Sequence, residues 1–373
     1  MRAIVTGGGT AGHIYPALTV AEQLAGEHDE VSFVGTPDGL EARLVPAAGV
    51  RFHALAARGF DRSRPLSAVT AALTTLGSAV RAWRLLGRER PDVVIGFGAY
   101  VSLPVGLAAV VRGVPLVLHE QNSVPGLANR VLSRWARAVG VTYEESAARL
   151  AHPERVTLTG NPVRGDVAAA SRTSGREHLE LGDAETVLLV FGGSRGARHL
   201  NEALVALRDR LLAIEGLRVL QVAGPSEASA VRGALEAAGG DTGGRWRVYD
   251  YLAEMGQAIA AADLVVSRAG ATTIAELTTL GAPAVVVPYP YATDDHQTGN
   301  AATLVEHGAA VLVPDADLDS ERFGDQLVGL LSDPGRRATM AAASRALGRP
   351  DAAKRVVALA RRSAGKLPDN PRT

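Results

Sequence analysis

Apolar and polar positions along this chain repeat one phrase. A short apolar run leads into a cluster of glycines, and a stretch with helical spacing follows. Ala3–Thr6 runs into Gly7-Gly8-Gly9, Val93–Ile95 into Gly96 and Gly98, Val187–Val190 into Gly192-Gly193, and Leu264–Ser267 into Gly270. Val114–Leu118 and Ala284–Val287 are further apolar runs, ending in polar or proline-rich loops. Strands alternating with helices predict βαβ units, and so parallel sheets with helices on both faces. Such sheets bind ligands at the carboxyl ends of their strands, where the glycines and polar clusters fall.

The phrase begins afresh near residue 187, after a polar stretch from Arg164 to Glu185. Two doubly wound, Rossmann-like α/β domains are therefore expected, 1–163 and 164–342, joined near Gly160-Asn161-Pro162-Val163-Arg164. A cleft facing both is the expected ligand site. The stretch from Val93 to Val111 carries no charge and approaches a membrane-spanning length, but Gly96, Gly98, Pro104 and Gly106 interrupt it. A strand, a turn and a short helix account for it, and no transmembrane span is expected. The first apolar run is too short for a signal peptide, which points to the cytoplasm.

Composition narrows the chemistry. Thirty-nine basic residues balance 39 acidic ones, so no net field draws the protein to nucleic acid. The absence of cysteine excludes thiol nucleophiles, disulfides and thiolate metal sites. Lysine occurs only at Lys354 and Lys366, so there is no Gly-Lys-Ser/Thr phosphate loop, and a Schiff-base lysine is not expected.

The glycine loops then divide the remaining options. Gly7 to Gly12 satisfies the dinucleotide fingerprint, but the next strand, Val31-Ser32-Phe33-Val34, ends in Gly35-Thr36 without the ribose-binding acid. Dinucleotide binding is disfavoured. His13 follows the fingerprint, an ionisable group at a helix N-terminus; a surface histidine after a tight turn explains it equally well. Gly192-Gly193-Ser194-Arg195-Gly196-Ala197 opens a helix whose free N–H groups suit a diphosphate, or else is a small-residue packing turn. Thr273 and Glu276 have capping-box spacing. Alternatively, Glu276 accepts hydrogen bonds from a ribose cis-diol. His119-Glu120-Gln121-Asn122, Tyr100 and Asp294-Asp295-His296-Gln297 sit at strand ends, as a hydroxyl-rich ligand requires. Asp315-Ala316-Asp317 is read as turn and cap residues, not as a metal-holding pair, and no metal is expected.

Leu66, Val69, Leu73, Leu76, Val80 and Trp83 recur at helical spacing, flanked by Arg81, Arg84 and Arg88. Trp135 with Arg130, Arg134 and Arg137 repeats the composition. Two readings stay open: a helix packed on its sheet with a basic flank, or an interfacial helix meeting anionic lipid.

Taken in order, Gly8-Gly9-Thr10-Ala11-Gly12-His13, Gly96-Phe97-Gly98-Ala99-Tyr100-Val101-Ser102, His119-Glu120-Gln121-Asn122, Thr159-Gly160-Asn161-Pro162-Val163-Arg164, Gly192-Gly193-Ser194-Arg195-Gly196-Ala197 and Ser267-Arg268-Ala269-Gly270 resemble the MurG family of bacterial N-acetylglucosaminyltransferases. The resemblance runs from Met1 to about residue 365. It implies a GT-B fold, with a C-terminal helix, about 343–365, packing back on the first domain. It implies UDP-GlcNAc as donor and lipid I, the undecaprenyl-diphospho-MurNAc-pentapeptide, as acceptor, with no cofactor, at the cytoplasmic face of the membrane as a peripheral protein on an anionic surface. By the same resemblance, Ser194 contacts the diphosphate, Arg164 lies near the nucleotide and the Leu252 backbone meets uracil. Ala271, Thr272, Thr273, Ile274, Ala275 and Glu276 line the donor, with Glu276 on the ribose. Asn122 and Gln297 touch the GlcNAc, Thr10, Ala11 and Gly12 face the sugar and the acceptor diphosphate, and Tyr100 and Asn129 complete the substrate-binding set. Ala11 replaces a frequent glycine, Leu252 a frequent isoleucine, and His296 a glutamine found in some members.

Inversion by a single in-line displacement then needs a general base, for which His13 and Glu120 are the candidates. Two helix N-termini, after Gly193 and Gly270, would meet the charge on departing UDP. Alternatives are a GT-B transferase acting on another lipid or natural-product acceptor, a UDP-GlcNAc 2-epimerase, and a dinucleotide oxidoreductase lacking its ribose acid.

Overall fold

The computed structural model describes residues 1–57, 65–193, 197–240 and 243–365, with the backbone alone for 65–73. The chain divides into two compact units, Met1–Arg164 with Pro350–Thr373, and Gly165–Arg349.

The first unit holds seven parallel strands: β1 (Arg2–Thr6), β2 (Glu30–Gly35), β3 (Arg51–Ala54), β4 (Val93–Gly96), β5 (Leu116–Glu120), β6 (Ala138–Val141) and β7 (Val156–Leu158). Their order is β3-β2-β1-β4-β5-β6-β7. Alternate residues feed opposite faces: Ala3 and Val5 join one core layer, and Ile4 joins the other. Burial on both sides is why these strands read as unbroken apolar runs. The crossovers include α1 (Ala11–Gly26), α2 (Glu41–Ala47), α3 (Pro65–Glu89), α4 (Ala99–Arg112) and α5 (Leu127–Leu132). Val93–Val111 is thus strand, glycine turn and helix. Among the described residues no helix is long and apolar enough to cross a membrane.

The described part of α3 turns its core face through Ala82 and Leu86, both buried. Leu76, Val80 and Trp83 face outward, at 66%, 46% and 43% exposure. The stripe read from the sequence is therefore a solvent face over this stretch, and packing on the sheet does not explain it. Leu66, Val69 and Leu73 lie outside the described side chains.

The second unit holds β8 (Thr186–Phe191), β9 (Leu217–Val222), β10 (Trp246–Tyr249), β11 (Leu264–Ser267), β12 (Ala284–Val286) and β13 (Ala310–Leu312), all parallel, in the order β10-β9-β8-β11-β12-β13. The strand order reverses at β1/β4 in the first sheet and at β8/β11 in the second. Those are the switch points at which ligands enter doubly wound sheets. Four helices of this unit matter below: α6 (Arg198–Ala206), α7 (Ala271–Leu280), α8 (His296–Glu306) and α9 (Pro334–Leu347).

The C-terminal segment is two helices rather than one. Residues 343–347 finish α9, which packs on α7. After a break at 348–351, α10 (Ala352–Ser363) packs on α1 of the first unit, and Val356, Val357 and Ala360 enter that unit's core. Arg361 fastens it by ion pairs to Glu27 and Asp29, 2.5 and 2.7 Å.

Candidate active site

At the first switch point, β1 gives way to Gly7-Gly8-Gly9, and Gly9 takes φ +81°, a conformation that L side chains rarely adopt. Thr10 is the N-cap of α1, with Ala11, Gly12 and His13 in its first turn. The Thr10 hydroxyl lies 3.0 Å from His13 Nδ1 and so orients the imidazole. Next door, the turn after β4 brings Gly98, φ +82°, against the same ring. A Cβ built on Gly98 would stand 3.5 Å from His13 Nε2 and 3.4 Å from Asn129 Nδ2. His13, Gly98 and Asn129 thus meet at one point, supplied by three successive strand ends. Tyr100, at 53% exposure, opens α4 beside them.

The β5 end is a buried hydrogen-bond network. Both Glu120 oxygens are engaged. Oε1 accepts from Asn122 N and Nδ2 (3.0 and 3.4 Å), and Oε2 accepts from Gly126 N and Asn129 Nδ2 (3.1 and 2.8 Å). Burial pushes this carboxyl above its usual range, and the four donors pull it part of the way back. Glu120 therefore folds the 120–129 loop; an acceptor hydroxyl would have to displace one of these donors to reach it.

His119 is fully buried, with Nε2 2.9 Å from the Gly160 carbonyl and Nδ1 3.2 Å from Gln121 Nε2. Burial pushes its pKa down to about 4, so it is neutral at pH 7. The same Gln121 amide donates to the Phe97 carbonyl and ties β5 to the β4 turn. Arg164 falls in the first unit, its guanidinium 5.0 Å over the Tyr15 ring.

One acid escaped the reading of β2. No carboxylate ends that strand, but Glu41, opening α2, folds back to accept from Thr36 N and Oγ1 at 2.9 and 2.7 Å. It is fully buried against Gly8, and a side chain on Gly8 would collide with it.

In the second unit, Gly193 has φ +77°, and α6 begins a few residues on. Ser194 lies outside the described residues. The β11 turn leads to Gly270, which is the N-cap of α7. Thr273 is therefore the third helical residue and not a cap, so the capping-box reading of Thr273 and Glu276 fails. Ala271, Ile274 and Ala275 are buried, Glu276 is buried at 9% exposure, and Thr272 and Thr273 are half-buried. What this helix presents is its unbonded N–H groups and two threonines. Thr272 Oγ1 is buried without a hydrogen-bond partner.

Gln297 sits in the first turn of α8, its Oε1 accepting from Ala269 N and Tyr289 N at 3.2 and 2.8 Å. That leaves its amide nitrogen to donate. Leu252 follows β10, half-buried against the core. Asn300 Nδ2 holds the Ala269 carbonyl at 3.2 Å. Sequence reasoning passed over Asn300; an asparagine one helical turn after Gln297 was the available signal. Among the described residues no cluster of metal-ligating side chains occurs.

Paired parallel sheets with glycine turns and helix N-termini at both switch points define a GT-B enzyme. Family models bear this out. The glycosyltransferase family 28 N-terminal domain matches residues 3–141, and the family's C-terminal domain matches 187–356. A UDP-N-acetylglucosamine–N-acetylmuramyl-(pentapeptide) pyrophosphoryl-undecaprenol N-acetylglucosamine transferase of Desulforudis audaxviator is 42% identical, over 98% of this chain and 99% of its own. The crystal structure of MurG from Acinetobacter baumannii superposes with a TM-score of 0.77 at 31% identity, over 97% of this chain and 99% of its own. The chain belongs to glycosyltransferase family 28, and within it to the MurG N-acetylglucosaminyltransferases. A UDP-N-acetylglucosamine 2-epimerase of Listeria monocytogenes shares the fold alone, with a TM-score of 0.69 at 16% identity over 98% of this chain and 97% of its own.

Proposed function

We propose that this enzyme transfers GlcNAc from UDP-GlcNAc to the 4-hydroxyl of MurNAc in lipid I, forming lipid II for peptidoglycan. The observation that carries the catalytic assignment is the His13 ring, oriented by Thr10 at the N-terminus of α1 and framed by Gly98 and Asn129.

If Nδ1–H donates to the Thr10 hydroxyl, Nε2 is the basic atom. It takes the proton of the MurNAc 4-hydroxyl as that oxygen attacks the anomeric carbon. The C–O bond to UDP breaks on the opposite face and its electron pair leaves with the diphosphate, so an α-linked donor gives a β-linked product. Glu120 is assigned a supporting role: it holds Asn122 and Asn129 for the sugars while His13 handles the proton. The second unit takes the donor. The N–H groups opening α6 and α7 meet the diphosphate charge as it develops. Ser194 and Thr272 add hydroxyls, Glu276 takes the ribose diol, Gln297 Nε2 donates to the GlcNAc and Leu252 meets the base through its backbone. No cofactor enters this scheme.

The acceptor is anchored in lipid, and the outer face of α3 suits that location. Leu76, Val80 and Trp83 are exposed beside Arg81, Arg84 and Arg88, and the Arg112 guanidinium lies 3.9 Å over the Trp83 ring. Apolar anchors ringed by arginine match the headgroup region of an anionic membrane. We place the enzyme there, as a peripheral protein on the cytoplasmic face.

The test is incubation with radiolabelled UDP-GlcNAc, with and without a short-chain lipid I analogue. Expected are lipid-extractable label and an equal amount of UDP, only when the acceptor is present. A changed sugar without acceptor would mark an epimerase, and donor binding without transfer would mark a different acceptor.

A further inference from the structure

The Asp315-Ala316-Asp317 turn follows β13, three strand positions from β8, and in the sequence it has no connection to the glycine loops. In the fold, Asp315 joins two of them. Its Oδ2 lies 2.9 Å from Nδ1 of His199, the second residue of α6. Its Oδ1 lies 2.5 Å from the guanidinium of Arg268, two residues before the N-cap of α7. Arg268 spans the sheet end to reach it. Its guanidinium also donates to the carbonyls of Val287 and Pro288, at 3.4 and 3.3 Å, and packs near the Tyr289 ring. The other imidazole nitrogen of His199 lies 3.0 Å from Asp319. Arg268 and Asp315 have side-chain exposures of only 8% and 15%.

We infer that Asp315 is a positioning residue for the donor diphosphate: one carboxylate bridges the first turn of α6 to the turn before α7 and so sets the spacing of the two helix N-termini. This rests on the donor-site assignment made above. β8 and β11 are neighbours, with Phe191 paired to Ser267, so the two turns leave the sheet side by side. Each helix is already anchored by its own apolar residues, Leu200 and Leu204 in α6, Ile274 and Leu277 in α7. Core packing fixes where the helices lie, whereas their first turns carry the N–H groups that a diphosphate must span. The carboxylate acts on those turns. Its partners also secure its charge: burial pushes the Asp315 carboxyl up, but His199 and Arg268 together bring it below its ordinary range. The same two aspartates raise the His199 imidazole.

The experiment measures the affinity of the full-length enzyme for UDP by calorimetry, and the KM values for donor and acceptor, in the wild type, Asp315→Asn, His199→Gln and the double variant. Asp315→Asn is expected to raise the UDP Kd and the donor KM roughly tenfold, with the acceptor KM unchanged. His199→Gln leaves the buried Arg268 pair intact and is expected to show a smaller rise. In the double variant the effect should equal that of Asp315→Asn alone, since both changes break one bridge. Unchanged UDP affinity in an Asp315→Asn protein with a lowered melting temperature would reduce the bridge to a stability element and overturn the inference. Additive effects would overturn it as well, because they would mean two independent contacts. A wild-type enzyme that does not bind UDP would instead remove the donor-site reading on which the inference stands.

Discussion

The two sheets of this enzyme both end their central strands in glycine turns but set different charges beside them. At the first switch point the strand ends carry neutral or internally satisfied groups. His119 is buried without charge, Glu120 accepts four hydrogen bonds, and His13 is held by the Thr10 hydroxyl. At the second, an arginine, a histidine and an aspartate are locked together beside two helix N-termini. In the proposed mechanism the first arrangement presents one imidazole, oriented by a hydroxyl, to the acceptor's proton. The second is charged and tied by ion pairs, and it is where the proposed function places the diphosphate. A doubly wound sheet thus specifies where a ligand enters, and the side chains at its switch point decide whether that place handles protons or holds charge.

The comparison can be broken most strongly at His119. Its pKa falls from 6.5 unfolded to about 4 folded, so the folded protein resists protonation there. Stability from this group is fully present above pH 6.5 and drains away as pH falls toward 4. The total is about 3 kcal/mol. Urea unfolding at pH 7 and at pH 4.5 should show the wild type losing more stability than His119→Gln. Equal losses would mean that burial does not hold the imidazole neutral.

Gly98→Ala tests the proton-handling side more directly. The new methyl would require φ +82° of an alanine and press on the His13 ring. A fall in kcat on the order of 100-fold is expected, with UDP affinity retained; loss of UDP affinity instead would contradict the separation of roles.

The membrane face comes next. Leu76→Glu should weaken binding to vesicles rich in anionic lipid by about tenfold while leaving UDP binding unchanged. Cosedimentation with such vesicles reads this out, and undiminished binding would move the lipid contact elsewhere.

The smallest effect is expected at Thr272. Its hydroxyl is buried without a partner, so Thr272→Val should slightly stabilise the enzyme against heat yet raise the donor KM about threefold, the worth of one modest hydrogen bond. Opposite signs in the two measurements distinguish a ligand contact from a packing defect.

Much of this was legible in the chain. Apolar runs ending in glycine marked β1, β4, β8 and β11, because strands buried on both faces need unbroken apolar sequence, and the turns after β1, β4 and β8 place a glycine at positive φ. Periodicity also found α3, but not its orientation. An apolar stripe looks the same whether it meets a sheet or a membrane, and only the burial of Ala82 and Leu86 shows which face is inside. The capping-box spacing of Thr273 and Glu276 misled for a local reason: α7 starts at Ala271, three residues earlier than that pattern requires. Glu41 and Asp315 were beyond reach. Glu41 acts by folding back on Thr36, and Asp315 meets His199 across 116 positions of sequence. The second pairing follows from strand order, which local patterns do not encode, and the first from the way a five-residue turn folds back on itself.

The central claim is that His13 carries the proton while the donor site works independently of it. The most direct test measures UDP affinity and the rate of GlcNAc transfer to a lipid I analogue on the same preparation of His13→Ala. The account predicts wild-type UDP affinity with transfer reduced by roughly 100- to 10,000-fold. Transfer at the wild-type rate, or UDP affinity lost together with the rate, would contradict it.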